Sequence, residues 1–89
     1  MAAARDRALT IVISTEQLAL LKRLDFPGSA EVLATARKTT EGIEIHGSHA
    51  HFDELVGWVA GEANHTRSPA RERLLSDVFE NLEAALASR

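Results

Sequence analysis

Hydrophobic positions in this chain follow two different periods, and the sharper one runs through residues 50–65, AHFDELVGWVAGEANH. Phe52, Leu55, Val56, Val59, Ala60 and Ala63 recur at i, i+3, i+4, i+7, i+8 and i+11. At 3.6 residues per turn that spacing puts all six on one face of an α-helix, which predicts a core-facing stripe on a helix over 49–64. A second helix is predicted over 69–87, where Leu75, Val78, Phe79, Leu82 and Leu86 supply the buried side. Ser68 and Pro69 mark its start, because proline at the first helical position lacks only an N–H that would go unpaired anyway.

The period of two appears twice. Residues 9–14 put Leu9, Ile11 and Ile13 on one face and Thr10, Val12 and Ser14 on the other, a β-branched pattern that predicts a strand with cover on both faces. Residues 43–46 alternate Ile43, Glu44, Ile45 and His46 and predict a second strand.

Between the strands, Ser14 and Gln17 form the S-x-x-Q capping box that opens a short helix over 15–24. Asp25, Phe26, Pro27 and Gly28 make a turn. The alanine-rich residues 30–38 are assigned to a second short helix, although Val32 to Thr35 also suits the start of a strand. Thr39 to Gly42 breaks the pattern, and Gly47 and Ser48 end the second strand and cap the central helix.

The expected architecture is a helix-rich α+β domain over 9–89, in the order β-α-α-β-α-α, behind a frayed N-terminus at 1–8. It reads as two similar halves, each a strand followed by two helices. A two-stranded sheet is marginal alone and leaves open edges, so strand pairing across a dimer is one expected outcome. Covered edges within the monomer are the other.

Composition narrows the function classes. The chain has 89 residues, near the size at which association adds usefully to a small core. Its net charge of −3 and 4% aromatic content argue against a nucleic-acid binder that works through a basic stripe and base stacking. Arg67, Arg71 and Arg73 do cluster at the start of the last helix, in a spacing loosely similar to a helix-turn-helix, so weak nucleic-acid binding stands as an alternative. With no cysteine there is no disulfide, thiolate zinc site or cysteine nucleophile. No apolar run reaches membrane-spanning length and no signal peptide is evident, so a cytoplasmic protein without membrane attachment is expected.

Metal chemistry rests on two patterns. His46, His49 and His51 with Asp53 offer imidazole and carboxylate ligands, but their spacing crosses the strand-to-helix junction. Glu62 and His65 form one E-x-x-H turn, of which a di-metal bundle needs two, with Glu54 as a possible further ligand. Phosphate loops and nucleophile elbows are absent, so no enzyme activity and no cofactor are expected.

The remaining candidate is a contact surface on the central helix. Trp58, the single tryptophan, lies roughly 120° round from Phe52 at about 100° per residue, on the flank of His51, Glu54, Glu62 and His65. Gly57 and Gly61, four apart, make a ridge without bulk that suits close approach of another backbone, in the first instance a neighbouring helix of the same chain. The expected function is a non-enzymatic protein–protein interaction or regulatory module, homodimeric through these seven residues. The competing expectation is that Trp58 covers the edge of its own core.

Overall fold

A computed structural model describes residues 8–87 of the chain. Most of the frayed N-terminal segment expected at 1–8 lies outside the described residues. The elements are β1 (Leu9–Ile13), α1 (Thr15–Arg23), α2 (Ser29–Leu33), β2 (Arg37–Thr39), β3 (Gly42–Gly47), α3 (His49–His65) and α4 (Pro69–Ala87). The α+β class is as expected, but the order is β-α-α-β-β-α-α, with a strand beyond the two foreseen.

The sheet is antiparallel with order β1-β3-β2. In register, Ile11 pairs with Ile45 and Ile13 with Ile43, while Arg37 of β2 pairs with Glu44. Ile11, Ile13 and Ile45 are buried, as their shared face of the pleat requires. The other face carries exposed Thr10 and half-buried Val12, Glu44 and His46, so the cover expected on both faces of β1 is present on one.

The expected helix over 30–38 stops early. α2 ends at Leu33 because Thr35 turns its hydroxyl back onto the Val32 carbonyl (2.6 Å) and accepts the His46 amide (2.8 Å), fastening this segment beside β3. Arg37–Thr39 then pairs as an edge strand. Residues expected only to break the pattern form the hairpin turn, where Thr39 Oγ1 donates to the Gly42 carbonyl and accepts the Glu41 amide. Gly47 is the last residue of β3, and Ser48 follows directly as the cap of α3, as expected. With three strands in one chain, a two-stranded sheet no longer supplies a reason for pairing across a dimer. On the β1 edge, the Asn81 amide of α4 reaches the Val12 carbonyl at 3.4 Å.

The helices are set by local chemistry. Ser14 and Gln17 close the expected capping box, with Ser14 N donating to Gln17 Oε1 (2.8 Å) and Gln17 N to Ser14 Oγ (3.1 Å). Gln17 is itself buried, and its Nε2 donates to the Leu74 carbonyl, which ties α1 to α4. Gly28, at φ 82°, caps α2 from the left-handed region that favours glycine. Ser48 caps α3 by accepting the His51 amide at 3.0 Å. Ser68 accepts the Arg71 amide at the start of α4.

α3 and α4 share the most extensive packing in the molecule. Phe52, Leu55 and Val59 of α3 meet Leu75, Val78 and Leu82 of α4 in one core with Leu21, Phe26, Val32 and the sheet isoleucines. Val56 and Ala63 of the expected stripe are half-buried at its margin. Among the described residues no helix is long and apolar enough to cross a membrane.

Candidate functional site

Burying Phe52, Leu55 and Val59 fixes the rotation of α3 and turns its opposite side outward. Trp58 is the one large hydrophobic residue left exposed among the described residues, at 43%. Tryptophan is among the residue types most enriched in binding hot spots. Beside it, a Cβ placed on Gly57 or Gly61 would meet nothing within 4 Å. The expectation that these glycines let a neighbouring helix of the same chain approach is therefore wrong: the ridge faces open space.

The result is a shallow depression of ≈ 500 Å³ floored by Gly57 and Gly61. Trp58, Glu62 and His65 stand along one side, with Asp53 and Glu54 toward the N-terminal end. Every residue of it comes from α3, so it is the outer surface of one helix and not an enclosed pocket. Six of the seven residues expected at a contact surface are brought together here, and Asp53 joins them.

His51 does not join them. A Cβ on Gly28 would lie 2.5 Å from His51 Cδ2, so the His51 ring packs over the turn that precedes α2. The angular position of His51 on the helix suits the Trp58 flank, but the turn from Phe26 to Gly28 covers that part of it.

The histidine cluster is dispersed by the strand-to-helix junction. His46 lies on the outer face of the sheet, His49 is exposed at the start of α3, and His51 sits at Gly28. Among the described residues no three His, Asp or Glu side chains are grouped closely enough to hold a metal ion. Glu62 and His65 both lie exposed on the outer side of α3, without a second E-x-x-H turn to face them.

One polar constellation had no warning in the spacing. His46 Nδ1 lies 2.8 Å from Thr10 Oγ1 across the β1–β3 pair, and His46 Nε2 lies 3.2 Å from Glu44 Oε1. With the proton on Nε2, the ring accepts from the threonine hydroxyl and donates to the carboxylate, so one tautomer satisfies both contacts. The chain of hydroxyl, imidazole and carboxylate fastens two strands on an open sheet face. The depression on α3 does not reach it, and its signal was the cross-strand register of Thr10 with His46, which no single stretch reveals.

The arginines at the start of α4 are exposed and do not form a stripe with the outer side of α3. Arg71 instead lines a second cleft with Arg23 of α1. No family model matches the chain, and neither the curated proteins nor the solved structures provide a match.

Proposed function

We propose that the protein is a non-enzymatic contact module that associates with a second copy of itself through the outer side of α3. The observation that carries this reading is Trp58, exposed at 43% beside two glycines whose outer side is open. Association would remove the indole from water at the centre of a patch, where such residues contribute most. It would also add buried area to a domain whose size limits its own core.

Charge along the helix supports an antiparallel crossing. Asp53 and Glu54 lie toward the N-terminal end of the depression and His65 at its C-terminal end. Antiparallel docking with Gly57 against Gly61 of the second copy puts Glu54 beside His65 of that copy, twice over. Parallel docking stacks Glu54 on Glu54 and Glu62 on Glu62, like charges in register.

The absence of cysteine and the single tryptophan make the test direct. On dilution through the micromolar range, sedimentation should pass from dimer to monomer as Trp58 emission shifts red, and Trp58→Ala should be monomeric throughout. Monomer at every concentration, with invariant emission, overturns the proposal. Glu54→Cys mixed with His65→Cys should form a disulfide that neither variant forms alone. In the antiparallel crossing the two Glu54 positions are roughly 16 Å apart at about 1.5 Å rise per residue, far beyond disulfide reach. Crosslinking of Glu54→Cys with itself would keep the dimer and reverse its direction.

A further inference from the structure

The second cleft, ≈ 290 Å³, lies where the C-terminal ends of α1 and α3 meet the first turn of α4, and it is more closed than the depression on α3. Its apolar lining is Leu20 and Leu24, both half-buried, with fully enclosed Leu75. Arg23 and Arg71 line it from α1 and α4, and Thr66 adds a hydroxyl group. Glu62 also lines it, yet no carboxylate of the described residues comes within ion-pair distance of either arginine.

The position of Arg71 runs against helix electrostatics. It is the third residue of a 19-residue helix, at the positive end of the dipole, where acidic side chains are favoured, and Arg67 stands just before that helix. Sequences break local rules chiefly at functional sites. The Arg71 and Glu72 amides in the first turn of α4 are already occupied by Ser68, so it is the two guanidinium groups, neither with a carboxylate partner among the described residues, that favour an anion between them.

We propose that this cleft binds a small organic acid, its carboxylate held by Arg23 and Arg71 and its aliphatic part on Leu20, Leu24 and Leu75. Two cations and the Glu62 carboxylate leave a net charge of +1, which suits a monoanion. At about 30 Å³ per water-sized group, the volume holds roughly ten non-hydrogen atoms. This chemistry is supplied equally by a free short-chain acid or by the carboxyl end of a peptide with an aliphatic last residue. Trp58 does not line this site, and Arg23 and Arg71 lie outside the proposed dimer surface; Glu62 alone lines both the cleft and the depression on α3.

The test is an NMR titration of the ¹⁵N-labelled full chain with hexanoate, acetate, hexanol and N-acetylleucine as probes. Hexanoate should bind at least about tenfold more tightly than acetate or hexanol, because only hexanoate engages both halves of the cleft. Its shifts should centre on Arg23, Arg71 and Leu75. N-acetylleucine binding more tightly than hexanoate would identify a peptide end as the source, and the reverse a free acid. Arg23→Gln and Arg71→Gln should each weaken hexanoate by about tenfold, with Arg73→Gln unchanged. Glu62→Gln should tighten it, a direction that mere damage to the cleft would not produce. Equal affinity for acetate, no saturation below about 10 mM, or indifference to both arginine substitutions would overturn the proposal.

Discussion

The two sides of α3 answer to opposite constraints. On the inner side Phe52, Leu55 and Val59 have no exposed surface, and each is held by neighbours from other elements. On the outer side Gly57 and Gly61 have open space where a Cβ would stand, and the exposed indole of Trp58 lies beside them. The same 17 residues thus serve stability on one side and availability on the other. Substitutions on the inner side should change folding, and those on the outer side should change what the folded protein meets.

The largest effect is expected at Phe52. Its ring is fully enclosed, so Phe52→Ala loses apolar burial and leaves a cavity, together costing about 3–5 kcal/mol. A domain this small has little more than that to lose. Urea unfolding followed by circular dichroism should give a midpoint shifted far toward zero denaturant, or a chain already unfolded in buffer. A loss below about 1 kcal/mol would mean that the inner side is not the packed one.

A glycine on the inner side gives the next effect. Gly47 lies under Phe52, and a Cβ there would come within 2.7 Å of the Phe52 ring and 3.3 Å of Val32 Cγ2. Neither neighbour is free to move away, as both are buried. Gly47→Ala should therefore destabilise by about 1–3 kcal/mol through overpacking, against the usual gain from replacing glycine. The same unfolding measurement, compared with Phe52→Ala, checks the order of the two.

This contrast also separates what was legible in the sequence from what was not. The inner stripe was legible because its period belongs to α3 alone, and the same period placed Trp58 off the core. The capping box of Ser14 and Gln17 was equally local, but the bond from Gln17 to the Leu74 carbonyl spans 57 positions and leaves no local trace. β2 was missed because Arg37, Lys38 and Thr39 have no hydrophobic alternation: a charged edge strand is held by its partner and by its turn, and its charges guard the edge. The turn chemistry of Thr39 and Gly42 was the available signal. His51 was misplaced for a related reason, since helix angle says where a side chain points but not that the turn at Gly28 already occupies that direction. Gly57 and Gly61 carried the opposite ambiguity: spacing marks a ridge without bulk, and only the fold says whether anything lies on it.

The smallest expected change in stability is at those two glycines, and its sign discriminates most sharply. Glycine within a helix costs roughly 0.5–1 kcal/mol relative to alanine. Gly57 and Gly61 have room for the added methyl, so Gly57→Ala and Gly61→Ala should each stabilise the isolated fold by about that amount. In the proposed dimer the same methyl groups stand between the two helices and hold them apart. The double variant should then unfold at higher urea as a monomer while its dimer dissociates at higher protein concentration than the original. A single mechanism acting only within the chain cannot move the two measurements in opposite directions. If unfolding shifts upward and association is unchanged, the glycines are merely tolerated on an open surface, and the contact must lie elsewhere on α3.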